Sequence, residues 1–366
     1  MIWNSVSDIR TLQVEITSLC QAGCLDCNRW RPENGYQEWL DNPKNTVWKL
    51  NSHHHYFNKF YPEQEFSEHI KQFDNLDHVQ FCGNVGDPMA HPNISDCVRH
   101  ILNHIPSCAV DLSTNGAIGN LAQYEQIANL SKKFDVSITF AIDGLEDTNN
   151  IYRRGVEWKR LMDRVQHFIS LGGRADWMWV DFPHTRHQID QAEQLSKKLG
   201  FEQFEIRSRL SPETYFDQEI IVQSNQPIMR NEYHVEKDLS QSQFENMYSA
   251  DVVKRSTTNI DAGCKKLTKQ NKFYHPCPHL NVDGTLWPCC YTAVGLYSNT
   301  NHIRYWWQNL AKKYGEGWNS LYHYSLKEIV ANSFYQNDLE TSWHTQNPLE
   351  KNLICMQHCG QCVNIE

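Results

Sequence analysis

The chain has 366 residues, a hydrophobic fraction of 40% and a formal net charge of −9. This length accommodates one large α/β domain and a smaller one. The acidic balance and the lack of a basic stripe argue against a nucleic-acid partner. The N-terminus shows no apolar signal sequence, and no run approaches the length of a membrane span. We therefore expect a cytoplasmic protein without a membrane partner.

Short segments rich in β-branched and aromatic residues alternate with helical patterns over the first two thirds of the chain. The predicted strands are Thr11–Thr17, His78–Gly83, Ala109–Ser113, Val136–Ile142, Ala175–Phe182 and Phe204–Ser208. The predicted helices are Ile94–Ile105, Leu121–Phe134, Trp158–Leu171 and Ile189–Leu199. Six strands with crossover helices predict a parallel sheet and an α/β fold.

The chain is predicted to have two domains joined by a linker. Residues 1–208 form the α/β domain, 209–263 a polar linker, and 264–366 a cysteine-rich C-terminal domain. An aromatic-rich insertion, 28–77, separates the first two predicted strands. Loops of this length are usually functional or disordered, and the aromatic content argues against disorder. We interpret the insertion either as a satellite lid packed on the domain or as a cover over the active-site mouth.

Thirteen cysteines need an explanation in a reducing compartment, where disulfides are uncommon. Cys82, Cys97 and Cys108 are interpreted as buried small apolar residues. The other ten fall into two groups, within residues 20–27 and 264–362. Two separated groups of thiols suggest two metal sites.

The first group is Cys20, Cys24 and Cys27, spaced C-x3-C-x2-C directly after the first predicted strand. Three thiolates on one loop can bind three irons of a [4Fe–4S] cluster, which usually takes four cysteines. The missing ligand leaves one iron open to a small molecule, as in other catalytic metal centres. The alternative is a zinc knuckle, but the nearest further candidates, His53–His55, lie roughly thirty residues away.

This motif resembles that of the radical S-adenosylmethionine (radical SAM) superfamily. The resemblance implies a partial (β/α)6 TIM-like barrel and an open iron that chelates the amino and carboxylate groups of SAM. It also implies reductive cleavage of SAM to methionine and a 5′-deoxyadenosyl radical, which takes hydrogen from a substrate carbon. An external electron donor of the flavodoxin or ferredoxin type is then expected.

Gly86, Asp87 and Pro88 follow the second predicted strand, where the family has a Gly-Gly-Glu-Pro motif that receives the SAM amino group. Asp87 replaces the glutamate, and Val85 replaces the first glycine. A glycine allows the close backbone approach that such a contact needs. The alternative is a simple strand-to-helix turn with proline at its first helical position.

Three further motifs resemble family segments that follow later strands. They are Ser113–Gly116 (Ser-Thr-Asn-Gly), Ala141–Gly144 (Ala-Ile-Asp-Gly) and Tyr152–Gly155 (Tyr-Arg-Arg-Gly). Asn-Gly is also a common turn dipeptide, and Ala141 lacks the hydroxyl that many relatives have. Arg154 either pairs with the SAM carboxylate or lies solvated at the surface. The resemblance thus implies SAM contacts from Gly86, Asp87, Pro88, Ser113, Asn115, Asp143 and Arg154.

The second group of thiols includes a predicted hairpin, Cys277–Cys290, with an Asp-Gly turn and Gly-x4-Cys spacing, and a later Cys-x2-Cys at Cys359 and Cys362. It resembles the SPASM and Twitch auxiliary domains of radical SAM enzymes, although the tail is too short for a full two-cluster SPASM domain. The resemblance implies one auxiliary [4Fe–4S] cluster. Its expected ligands are Cys277, Cys289, Cys359 and Cys362, with Cys264, Cys290 and Cys355 as rivals. The alternative is a structural four-thiolate zinc site.

Taken together, these resemblances imply a radical SAM oxidoreductase. Many relatives with such auxiliary domains modify ribosomal peptides, and others act on small molecules such as aminocyclitols. We expect a peptide substrate, with a small-molecule dehydrogenase or epimerase as the alternative and a non-enzymatic iron–sulfur or zinc protein as the weaker one. About ten residues precede the first strand, so we expect no N-terminal domain that binds a leader peptide.

Overall fold

The structure is a computed structural model that describes residues 3–24, 27, 29–32, 48–50, 59–207, 259–262, 268–270, 273–275, 277–294, 301–345, 350–352, 354–355 and 360–363. The strands are β1 (Thr11–Val14), β2 (Trp30–Pro32), β3 (Trp48–Leu50), β4 (His78–Phe81), β5 (Ala109–Thr114), β6 (Val136–Ala141), β7 (Arg174–Val180), β8 (Gln203–Arg207), β9 (Asn259–Ala262), β10 (Thr268–Gln270), β11 (Phe273–His275), β12 (His279–Leu280), β13 (Leu286–Trp287) and β14 (Gly360–Val363). The α-helices are α1 (Glu63–Ile70), α2 (Ile94–His104), α3 (Leu121–Ser131), α4 (Asn149–Tyr152), α5 (Trp158–Ser170), α6 (Ile189–Leu199), α7 (Cys290–Val294), α8 (Asn301–Tyr314), α9 (Leu326–Ala331) and α10 (Leu339–His344).

One eight-stranded sheet organises the molecule, in the order β13-β12-β1-β4-β5-β6-β7-β8. The six strands from β1 through β4 to β8 are parallel neighbours, and helices connect them. No pairing among the described strands joins β8 to β13, so the sheet is an open, partial barrel. The predicted α/β fold with a partial (β/α)6 TIM-like barrel is confirmed.

The two faces of the sheet differ because side chains alternate along each strand. Val79, Leu112 and Ile138 are buried in the core on the face that the helices cover. Burial of such a side chain contributes about 1.5–3 kcal/mol. The opposite face, which we call the inner face, carries polar side chains such as Gln80 and Asp111, which are register partners on β4 and β5. A polar inner face is suited to contact a ligand rather than to pack as core.

The first strand is shorter than predicted. It ends at Val14 rather than Thr17. Glu15 N still donates to Leu280 O of β12, but the backbone after it pairs with residues 60–61 of the insertion. Tyr61 N donates to Ile16 O at 2.9 Å, and Thr17 forms an antiparallel bridge with Phe60. The insertion therefore returns directly onto the segment that leads into the cysteine motif.

The C-terminal hairpin, His279–Trp287, joins the main sheet. Strand β12 runs parallel to β1, with Gln13 opposite His279, while Gln13 N donates to Pro278 O at 2.9 Å. The predicted Asp-Gly turn is present, and Gly284 takes the left-handed φ of +74° that favours glycine. The domain boundaries at 208 and 264 remain a prediction, but the hairpin extends the barrel wall.

An aromatic cluster packs the C-terminal hairpin against the rest of the chain. Trp287 lies 6.0 Å from Trp318, and Tyr335 lies 5.9 Å from Trp318 and 5.5 Å from Trp3, between ring centroids. Such aromatic pairs contribute about 0.5–1.5 kcal/mol beyond their buried area. Of the helices in the described ranges, none has the length and apolar character to cross a membrane.

Candidate functional site

The cysteine loop, which carries Cys20, Cys24 and Cys27, leaves the sheet at the end of β1. Lys59, which lies within the insertion, anchors the start of this loop. Ser18 N donates to Lys59 O at 3.1 Å, and Lys59 N donates back to Ser18 Oγ at 3.0 Å. These reciprocal bonds hold the three thiols at the end of the strand where the other motifs also lie.

The electrostatic environment of the three thiols suits a bound cation. Burial raises the pKa of Cys20 and Cys24 to about 12 and that of Cys27 to about 11. Asp87 adds to the rise at Cys20 and the neighbouring thiols add to it at all three, while Arg153 opposes it at Cys24. Thiols of this kind become good ligands when a metal replaces their protons. Among the described residues, no three His, Cys, Asp or Glu side chains converge on a single ion. A [4Fe–4S] cluster does not need such convergence, because each cysteine binds a different iron.

The turn Gly83–Asp87 lies against the cysteine loop. A Cβ on Gly86 would lie 1.7 Å from Thr17 O, so only glycine allows this approach. Asp87 N donates to Leu19 O at 2.8 Å. The predicted SAM motif and the cysteine loop are therefore joined backbone to backbone.

The carboxylate of Asp87 is buried and surrounded by donors. It accepts hydrogen bonds from Met89 N, Thr114 Oγ1, Asn115 N and Asn115 Nδ2 at 2.6–3.0 Å. Burial raises the pKa of Asp87, although these bonds oppose the rise. Pro88 begins a 3-10 turn, Pro88–Ala90, that Asp87 caps. Asp87 thus links its own turn to the end of β5.

Replacing Asp87 with alanine leaves the buried donors of Thr114 and Asn115 without this acceptor, at a cost of about 1–3 kcal/mol. We expect Asp87→Ala to lower the free energy of unfolding by that amount and to weaken SAM binding roughly ten- to a hundred-fold. Urea denaturation and anaerobic SAM titration measure the two effects. Wild-type SAM affinity in a destabilised variant would show that Asp87 serves the turn alone.

Asn115 connects three of the predicted elements. Its Nδ2 lies 2.6 Å from Asp87 Oδ2 and 3.5 Å from Cys20 Sγ, and its Oδ1 accepts from Gln21 Nε2 at 2.7 Å. Ser113 lies deeper on the inner face, where its Oγ is 3.5 Å from Gln80 Nε2. The structure therefore brings Asn115, but not Ser113, into the group around Asp87 and Cys20.

The fourth motif meets the cysteine loop through its arginines. Arg153 Nε donates to the fully buried Asp143 at 2.7 Å, and Val180 N donates to the other oxygen at 2.8 Å. Burial alone would lower the pKa of Arg153, but Asp143 and the nearby Cys24 outweigh it and raise the pKa. Arg154 is buried and its backbone O accepts from Gly23 N at 2.7 Å, so it does not lie solvated at the surface.

The C-terminal thiols are described in part. Cys277 and Cys289 flank the C-terminal hairpin, and burial together with the proximity of Cys289 raises the pKa of Cys277 to about 11. Cys290 begins α7, and Cys355 is buried. Strand β14, which contains Cys362, pairs with β9 so that Gly360 lies opposite Ala262. Cys264 and Cys359 lie outside the described residues.

Sequence reasoning missed three residues: Asn84 within the Gly83–Asp87 turn, and Glu15 and His279, which contact that turn. Glu15 is the one with a sequence signal, because it is a charged residue between the apolar Val14 and Ile16 of a predicted strand. A charge at such a position is rarely buried unless it has partners.

The sequence-based prediction that Cys82 is buried is wrong. Cys82 is partly exposed beside Ser113 on the inner face.

Comparison with solved structures shows which proteins share this fold. The protein anSMEcpe with bound AdoMet (S-adenosylmethionine) aligns with a TM-score of 0.51 and 10% identity over 92% of this chain and 81% of its own. anSMEcpe with AdoMet and the Cp18Cys peptide gives 0.51 and 10% over 92% and 83%. Streptococcus suis SuiB bound to precursor peptide SuiA gives 0.48 and 14% over 87% of this chain and 66% of SuiB, just under two thirds of that protein. No family model matches the sequence, and no curated protein matches it.

A buried histidine just after the Gly83–Asp87 turn makes stability depend on pH. His91 Nε2 donates to Tyr61 O at 2.9 Å, and its Nδ1 accepts from Asn93 N at 3.1 Å, which requires a neutral ring. Burial lowers the pKa of His91. Its stabilising contribution is therefore complete above the unfolded pKa of about 6.5 and is lost as the pH falls toward the lower folded pKa.

We expect the free energy of unfolding to fall between pH 7 and pH 5, and to fall less steeply in His91→Gln. Urea denaturation at both pH values measures this difference. Burial also lowers the pKa of His69 and His184, so the variant removes only part of the slope. An unchanged slope in His91→Gln would contradict the assignment.

Proposed function

We propose that this protein is a radical SAM enzyme whose [4Fe–4S] cluster is held by Cys20, Cys24 and Cys27. One observation carries the proposal. The amide of Asn115 contacts both Cys20 Sγ and the carboxylate of Asp87, so the cysteine motif and the predicted SAM motif form one hydrogen-bonded unit. A zinc knuckle or an electron carrier would not need the Gly83–Asp87 turn against its thiols.

The residues proposed to hold SAM lie near the cysteine loop, with Ser113 as the exception. They are Gly86, Asp87, Pro88, Ser113, Asn115, Asp143 and Arg154. The close approach of Gly86 to Thr17 brings the turn against the cysteine loop, and the positive charge of the buried Arg154 near Cys24 favours a carboxylate. Ser113 is the member that lies nearer the substrate side, on the inner face. Cluster and SAM together supply the hydrogen-abstracting radical, and the chain's own groups bind and orient.

We propose a peptide as the substrate. The structure of anSMEcpe, which has a similar fold, contains bound AdoMet and the Cp18Cys peptide, and this supports a peptide as the class of substrate. A small polar molecule is the alternative, and the inner face favours it. Asp111 there accepts from Thr139 Oγ1 at 2.8 Å and from Gln80 Nε2 at 3.3 Å, within a row of carboxamides and hydroxyls. Such a row matches a ligand with many hydroxyl or amino groups.

We propose one auxiliary [4Fe–4S] cluster on Cys277, Cys289, Cys359 and Cys362, and an external flavodoxin- or ferredoxin-type donor that reduces the N-terminal cluster. Cys277 and Cys289 lie two residues outside the antiparallel pair His279 and Trp287, one on each side of the hairpin, which supports the first pair of ligands. The register of β9 and β14 keeps Cys264 as a rival ligand, because it follows β9 closely in the sequence while Cys359 directly precedes β14.

The function is tested by anaerobic reconstitution with iron and sulfide, followed by dithionite and SAM. We expect about eight irons per chain, in two clusters of four, and formation of 5′-deoxyadenosine. About four irons with 5′-deoxyadenosine would leave the C-terminal site to zinc and remove the auxiliary cluster. Absence of 5′-deoxyadenosine from a fully loaded protein would contradict the radical SAM function.

A further inference from the structure

The Gly83–Asp87 turn is shaped by a buried carboxylate outside the known motifs. Glu15, just after β1, has no exposed surface, and its Oε1 accepts from Val85 N at 2.8 Å and from Gly86 N at 3.0 Å. Glu15 therefore holds the turn in the conformation that brings Gly86 against Thr17.

Asn84, inside the same turn, reaches the C-terminal hairpin. Its Nδ2 lies 3.3 Å from His279 Nε2 and 3.4 Å from Cys290 O. A carbonyl oxygen only accepts hydrogen bonds, so the side-chain amide presents its NH2 group to both neighbours. The Nε2 of His279 is then an acceptor.

His279 is fixed from its other side by the sheet. Its Nδ1 lies 3.3 Å from Gln13 Oε1, so Nδ1 donates, in agreement with the acceptor role of Nε2. His279 is fully buried, and its Nε2 lies 3.9 Å from Glu15 Oε2. The His279 ring thus lies between the Gly83–Asp87 turn, the Glu15 carboxylate and β1.

We propose that Asn84 and His279 form a joint through which the C-terminal hairpin positions the SAM-binding turn. SAM affinity then depends on the hairpin as well as on the N-terminal motifs. The inference rests on the proposed function, because it takes Gly86 and Asp87 as part of the SAM site. Asn84 and His279 are positioning residues, since they act on SAM through the turn.

The test is equilibrium binding of SAM to the reconstituted full chain under anaerobic conditions. Loss of one buried hydrogen bond of about 1–2 kcal/mol raises the Kd about five- to thirty-fold, and we expect this for Asn84→Ala and for His279→Ala. The double variant should bind SAM no more weakly than whichever single variant has the lower SAM affinity, because both changes remove the same contact between Asn84 and His279. Additive losses, or wild-type affinity in both single variants, would overturn the joint.

His279→Gln is the conservative variant, because its amide oxygen can still accept from Asn84. It should restore affinity to within about threefold of the wild type, which a purely space-filling role for His279 does not require. If His279→Ala does not fold, SAM binding by Asn84→Ala and His279→Gln tests the joint. Weak SAM binding by His279→Gln together with normal SAM binding by Asn84→Ala would refute it.

His100→Ala is the matched control. His100 is a partly exposed histidine that bonds Ser67 at 3.2 Å and also contacts Glu63, away from the turn, so its variant should bind SAM as the wild type does. A wild-type protein that neither binds SAM nor forms 5′-deoxyadenosine would refute the proposed function and the joint together. Normal wild-type binding with unaffected joint variants would refute the joint alone.

Discussion

Simultaneous replacement of Cys20, Cys24 and Cys27 with alanine is expected to abolish 5′-deoxyadenosine formation. Without thiolates on this loop the N-terminal cluster has no protein ligands, and SAM receives no electron. Iron content should fall from about eight to about four per chain, since the proposed auxiliary cluster takes its ligands from other cysteines, far along the sequence. Dithionite-driven assays by liquid chromatography and parallel iron counting measure both effects.

The control for the triple variant is Cys97→Ala with Cys108→Ala. Both thiols are buried in the apolar core, so their loss changes stability but leaves the cysteine loop intact. This variant should retain its irons and its 5′-deoxyadenosine formation. Undiminished product from the triple variant would refute the assignment of the cluster.

Gly86→Ala adds a single methyl group, and we expect it to lower both stability and SAM affinity more than any other one-methyl addition in the site. The added Cβ would lie 1.7 Å from Thr17 O and 2.6 Å from Thr17 C, both backbone atoms that cannot rotate away. Overpacking of this kind costs about 1–3 kcal/mol, and more where the backbone itself must move. Because the turn would separate from the cysteine loop, SAM affinity should fall at least about tenfold. Urea denaturation and SAM titration report the two losses.

Gly315→Ala separates steric exclusion from backbone strain. No heavy atom lies within 4 Å of a Cβ at Gly315, but its φ of +90° is left-handed. This variant should lose about 1–2 kcal/mol of stability and bind SAM normally. Equal SAM affinity in Gly86→Ala and Gly315→Ala would contradict the close contact between the turn and the cysteine loop.

The local features of the fold were predictable from the sequence alone. The strands at β4 to β8 and helices such as α6 (Ile189–Leu199) lie within a few residues of their predicted bounds. Alternation and helical periodicity reflect which face of an element is buried, and that information is contained in neighbouring residues. The spacing of Cys20, Cys24 and Cys27 is likewise local, because three ligands on one loop need no other part of the chain to be recognised.

What the tertiary structure decided is how distant segments meet. That β12 pairs with β1 depends on backbone hydrogen bonds, which are the same for every residue type and leave no sequence pattern. The pairing buries His279 beside Asn84 and Glu15, and none of these three was predicted to belong to the site. In the same way, Asn115 faces Cys20 while Ser113 faces the inner side only because β5 ends between them. Side-chain direction at the end of a strand follows from where the pairing stops, and the neighbouring strands determine that.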